Sequence, residues 1–132
     1  MGDLRRVVDA SDAPAAVGPY SHAVVAGGRL LFCSGQIPLD PASGELIEGG
    51  PADQAVRCLE NLEAVCRAAG ARLSDAVRVG VFLTDIVSDW GEVNAAYERF
   101  FESDPPARAA VGVAALPKGA RVEMDAIVAL RE

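Results

Sequence analysis

The sequence predicts one α+β domain, a single sheet with two helices packed on one face. Three observations carry this. Two stretches, 51–70 and 88–101, set apolar residues at helical spacing. Shorter apolar runs, bounded by Gly, Pro, Asp and Ser, have strand length. Their order is β-β-β-α-β-α-β-β over 132 residues, the length of one domain spanning 1–132.

Residues 5–8 make a first short strand. The following DASDAPAAVGPYS (9–21) is a loop, because Pro14, Gly18 and Pro19 prevent regular structure. Apolar runs at 22–26 and 29–34 flank Gly27-Gly28 and predict a hairpin. DPASGE (40–45) is a turn-rich loop. Pro51 suits a helix start; Ala55, Leu59, Leu62, Cys66 and Ala69 then recur every three or four positions, and Gly70 supplies the stop.

In DAVRVGVFLTD (75–85), Val77, Val79, Val81 and Leu83 alternate with Arg78, Gly80 and Phe82, a strand pattern. Ser88 or Asp89 caps a second helix running to about Phe101, with Val93, Tyr97, Phe100 and Phe101 apolar. ESDPPA breaks it. The runs 108–114 and 121–130 flank LPKG and predict a closing hairpin. Helices on one side leave the other sheet face bare, which predicts burial against further copies.

Composition removes several function classes. Net charge is −7, with only 12 Lys and Arg, and Arg5-Arg6 is their one adjacent pair. Binding to nucleic acid or an anionic membrane needs basic clusters, so neither is an expected partner. One His and three Cys without a CxxC make no zinc ligand set, and no metal or organic cofactor is expected. Cys33, Cys58 and Cys66 read as reduced, buried thiols of a cytoplasmic protein. MGDLRRVVDASDAP has no apolar core of a signal peptide, and no apolar run reaches membrane-spanning length.

The charges inside the last two strands stand out. Alternation puts Val122, Met124, Ala126 and Val128 under the helices, and Glu123 and Asp125 on the other face. A bulge-free hairpin turning at Pro117-Lys118 would set Gly112 opposite Glu123, Ala110 opposite Asp125 and Ile127 opposite Arg108. Arg108 and Glu123 would then share a face, above a hollow left by Ala110 and Gly112. Such a cluster is either an ion pair or a site: a guanidinium that grips a carboxylate beside an acid that moves protons. Asp125 reads as a structural ion pair, with Arg121, with Arg108 or across an interface between copies.

VGPYSHAV (17–24), SGQIP (34–38), VNAAYERFF (93–101), PPARAAV (105–111) and LPKGARVEMDAIV (116–128) together resemble the Rid/YjgF family of reactive-intermediate deaminases. The resemblance implies a chorismate-mutase-like fold, a homotrimer and sites in the clefts between subunits. It implies that Arg108 binds a small substrate carboxylate and that Glu123 positions the hydrolytic water. It implies that Tyr20, Ser34, Gly35 and Asn94 line the pocket. Where the family commonly has Ser-Cys after the Arg, this chain has Ala109-Ala110, so Ala110 offers only backbone contacts.

The implied reaction is hydrolysis of 2-imino acids such as 2-iminobutanoate and 2-iminopropanoate to 2-oxo acids and ammonia, without cofactor. Alternatives are a trimeric ligand-binding or chaperone-like protein and, opposed by the −7 charge, an endoribonuclease. On residue type alone Tyr20 could plug a sheet edge, Ser34-Gly35 could mark a bulge, and Asn94 could be helix surface. His22 reads as a hydrogen-bonded or surface residue, and Trp90 as packing.

Overall fold

The computed structural model describes residues 4–131, so residues 1–3 of the N-terminal stretch lie outside the described residues. Eight elements follow in the order β1 (Arg5–Val8), β2 (Ala23–Ala26), β3 (Leu30–Gln36), α1 (Pro51–Ala68), β4 (Ala76–Leu83), α2 (Ile86–Glu98), β5 (Ala107–Gly112) and β6 (Val122–Ala129). The α+β class and the element order are as the sequence predicts. The pairing is not.

Helix α1 begins at Pro51, and the Asp53 carboxylate accepts from the Gly50 N–H at 3.1 Å. It ends just before Gly70, whose φ of 73° suits a residue without Cβ. Ala55, Leu59, Leu62 and Cys66 are fully buried on the expected stripe, while Ala69 is exposed. Burying each such Leu contributes roughly 1.5–3 kcal/mol. Helix α2 starts earlier than expected: Asp85, not Ser88 or Asp89, is the cap, accepting from the Ser88 N–H at 3.3 Å. Asp89 is instead buried in the first turn, where Arg121 grips it through Nε at 3.1 Å and Nη2 at 2.8 Å.

The strands form two sheets rather than one: a β1-β2 ribbon and a four-stranded sheet ordered β3-β6-β4-β5. Both predicted hairpins fail. Strand β2 pairs with β1, from Arg5 opposite Ala26 to Val8 opposite Ala23, while β3 pairs with β6. Gly27-Gly28 permits a hairpin but cannot enforce one. The apolar side of β3 instead joins the main core, with Cys33 buried beneath the helices.

Likewise β4 lies between β5 and β6, parallel to the first and antiparallel to the second. A helix between β4 and β5 makes a crossover, and crossovers join parallel strands. The apolar β4 takes the centre because Val79, Val81 and Leu83 are then covered by helices on one face and flanked by strands on both edges. Val122, Met124, Ala126 and Val128 lie in the same core, as predicted. The opposite face carries exposed apolar side chains, with Phe32 70% and Val111 44% accessible.

Candidate active site

The register redistributes the predicted site. Arg108 stands beside Val79, and Val79 beside Ala126, so all three face the helices. Glu123 stands beside Phe82 and Asp125 beside Gly80, on the opposite face. Arg108 and Glu123 of one subunit therefore point away from each other. The shared hollow expected from the hairpin does not exist within a subunit, because β4 occupies the space between β5 and β6.

On the helix side Arg108 sits in a cage. Its Nη1 donates to Asn94 Oδ1 at 2.8 Å. Its Cζ lies 5.4 Å from the ring centre of Tyr20, 4.9 Å from Trp90 and 4.8 Å from Tyr97. These are cation–π distances. Asn94 and Tyr20 are thus brought to Arg108 as expected. Trp90 and Tyr97 were missed as site residues, although their spacing of four and three around Asn94 puts all three on one side of α2. Ala110 shares the face of Arg108 but packs against the core.

Half-burial pulls the Arg108 pKa below its ordinary value, an effect that Tyr97 and Tyr20 oppose. Burial pushes the Tyr97 phenol up, and its hydroxyl has no partner among the described residues. Among the described residues the Arg–carboxylate pairs are Arg57–Glu60, Arg121–Asp89 and Arg131–Asp75. Arg108 is in none of them. A half-buried guanidinium with donors left over has the chemistry to receive a carboxylate.

The loop carrying Tyr20 is pinned over this cage. Ser21 donates from Oγ to the Pro105 carbonyl at 2.5 Å and from its backbone N–H to that of Pro106 at 3.2 Å. His22 tightens the same loop, accepting from the Ala10 N–H at 2.9 Å and meeting the Pro14 carbonyl at 2.6 Å. Gly18 lies close by: a Cβ there would stand 3.4 Å from Arg108 Nη2.

On the far face Ser34 and Gly35 fall in a bulge where the β3–β6 register slips between Cys33 and Gln36. The Glu123 carboxylate lies directly over Gly35, in the space a Cβ would fill. The bulge reading of Ser34-Gly35 holds, and it is the Glu123 carboxylate that comes close to Gly35. Asp125 makes no ion pair with Arg121 or Arg108; its Oδ1 accepts from the Gly80 N–H at 3.0 Å. Arg121 is engaged by Asp89 instead.

Surface hollows of about 240 and 450 Å³ include none of Tyr20, Ser34, Gly35, Asn94, Arg108, Ala110 or Glu123 in their walls. Cys33, Cys58 and Cys66 are free and buried, and burial pushes the Cys58 and Cys66 thiols up to about 12. They are packing residues, not nucleophiles. No described helix is long and apolar enough to cross a membrane.

Two α-helices on a mixed four-stranded sheet are the α+β fold of solved YjgF/Rid proteins. The chain belongs to the family described as Endoribonuclease L-PSP, whose model matches residues 10–130. It is 51% identical to Protein DfrA of Myxococcus xanthus, over 93% of this chain and 94% of that one. It is 46% identical to the human 2-iminobutanoate/2-iminopropanoate deaminase, over 94% and 89%. Among solved structures, RidA from an Antarctic Psychrobacter matches with a TM-score of 0.73 and 44% identity, covering 95% of this chain and 99% of that chain.

Proposed function

We propose that the protein hydrolyses 2-imino acids, and their enamine tautomers, to 2-oxo acids and ammonia. The carrying observation is Arg108: a half-buried guanidinium with three aromatic rings at cation–π distance, hydrogen-bonded to Asn94 and unpaired with any described carboxylate. Its unfilled donors suit the planar carboxylate of a small substrate. Relatives named as deaminases of 2-iminobutanoate and 2-iminopropanoate support this substrate class. Which imino acid is preferred is a matter for kinetics.

Arg108 and Glu123 point to opposite faces, so a site using both must draw them from two copies. The bare apolar face around Phe32, Leu30 and Val111 supplies the contact surface. We infer a homotrimer with sites between subunits, the assembly that the family resemblance implies. Free buried thiols fit a reducing, cytoplasmic setting.

In this site Arg108 clamps the carboxylate and presents the C=N carbon. Glu123 of a neighbouring copy takes a proton from water as its oxygen bonds to that carbon and the C=N π pair moves to nitrogen. Starting from the N-protonated imine, the result is a neutral carbinolamine. Glu123 returns its proton to nitrogen; as the C–N bond breaks and the C=O forms, the hydroxyl proton passes to the Glu123 carboxylate and ammonia leaves. Tyr20, Ser34, Gly35, Asn94 and the Ala110 backbone shape the cleft. No step needs a metal or organic cofactor.

The test is 2-oxo acid release from imines generated in situ by a threonine dehydratase. Wild type should accelerate it. Glu123→Gln should lose on the order of 10²- to 10⁴-fold of that acceleration, the usual worth of a positioned acid–base group. Arg108→Ala should lose it through binding and orientation together. An Arg108→Ala protein as fast as wild type sinks the clamp. Binding of 2-oxobutanoate without turnover would move the protein to the ligand-binding class.

A further inference from the structure

Arg108 makes one hydrogen bond through Nη1, to Asn94. A single bond leaves the guanidinium free to rotate about its Nε axis. Three aromatic rings also lie within cation–π distance of it. Tyr97 is fully buried. Tyr20 arrives on a loop. Trp90 stands on α2 one turn before Asn94, with its ring centre 4.9 Å from Arg108 Cζ. Guanidinium donors radiate along the edge of the plane, and a ring that faces the cation attracts it without accepting any of those donors.

We propose that Trp90 is a positioning residue, whose indole holds the Arg108 guanidinium in the plane that receives the substrate carboxylate. This rests on the reading of Arg108 as the carboxylate clamp. It assigns Trp90 a share of binding and none of the proton transfers.

Trp90 is the only tryptophan of the chain, so its emission reports this cage alone. The full-length protein is titrated with 2-oxobutanoate while tryptophan emission is recorded. Imine hydrolysis, 2-oxobutanoate affinity by calorimetry and thermal melting are compared for wild type, Trp90→Phe and Trp90→Leu. Wild-type emission should change saturably, and Arg108→Ala should abolish the response. Trp90→Leu should raise KM and the 2-oxobutanoate Kd about 3- to 10-fold, with kcat within about twofold of wild type. Trp90→Phe, which keeps a ring face, should recover most of the loss.

A folded Trp90→Leu protein with wild-type KM and Kd overturns the role of Trp90 and leaves imine hydrolysis standing. The predicted emission and Kd pattern without wild-type turnover sinks deamination and supports the role of Trp90. If Trp90→Leu does not fold, emission from wild type decides: no change at saturating 2-oxobutanoate overturns the proposal.

Discussion

Gly35 shows how one absent side chain sets the position of a carboxylate. Glu123 lies where a Cβ at Gly35 would go, with its carboxylate the nearest obstacle. Gly35→Ala therefore displaces the far end of a flexible side chain and leaves the strand in place. The expected result is a kcat lowered about tenfold or more, KM nearly unchanged, and a melting temperature close to wild type. Steady-state kinetics with a thermal melt checks it; unchanged kcat would mean that Glu123 need not sit over Gly35. The sequence made Ser34-Gly35 legible as a candidate bulge. It could not show what approaches, because the bulge that brings Glu123 there depends on pairing with a strand nearly 90 positions away in the chain. The within-chain partner of Asp125 escaped the sequence for a similar reason. A carboxylate in an apolar strand suggests a cation, yet here the partner is the Gly80 backbone N–H. Backbone donors leave no mark in a sequence.

At the scale of elements, α2 organises the cage and is itself held by a buried tie. Asp89, 2% exposed, takes two hydrogen bonds from Arg121 and one from Ser88 Oγ. The Arg121 backbone N–H in turn donates to Gln54 of α1 at 2.9 Å. The start of α2, the start of β6 and the first turn of α1 thus meet at one point. Asp89→Asn removes the charge that Arg121 grips, while Arg121 itself stays partly in water. The expected loss is about 1–3 kcal/mol of stability, below the full cost of breaking a wholly buried pair. Chemical denaturation measures it, and a loss under a few tenths of a kcal/mol would make the tie incidental. The helices and strands were legible because each rests on local periodicity. The pairing was not, because Gly27-Gly28 and LPKG are local turn signals and say nothing of competition from distant strands. The succession β4-α2-β5 did hold the answer, since a helix joining two strands of one sheet makes them parallel neighbours or near neighbours. Two strands either side of a turn-rich stretch were read as a hairpin, and that local reading hid the crossover. Trp90 was lost with it: only when β5 lies beside β4 do Trp90, Asn94 and Tyr97 come over Arg108.

For the whole molecule, the decisive fact is that Arg108 and Glu123 face opposite sides of one sheet. Family resemblance made both residues legible in the sequence, but their relative placement follows only from the strand order. If both serve one reaction, each site joins the helix side of one copy to the sheet side of another. The apolar outer face, with Phe32 70% exposed, is then the surface that brings the copies together. This makes a sharp prediction about mixtures. Arg108→Ala and Glu123→Ala proteins are each expected to be inactive. Mixed in equal amounts, dissociated in mild denaturant and reassembled, they form hybrid oligomers. A site that takes Arg108 from one copy and Glu123 from its neighbour is intact when each neighbour supplies the native residue. Random assembly makes that about one site in four, so about a quarter of wild-type imine hydrolysis should return. Mixing without dissociation should return none. If the two residues acted from the same subunit, every site would lack one of them and no activity would appear at any mixing ratio. That outcome, with hybrid formation confirmed by native mass spectrometry, would overturn the intersubunit site while leaving the fold and the Arg108 cage as they stand.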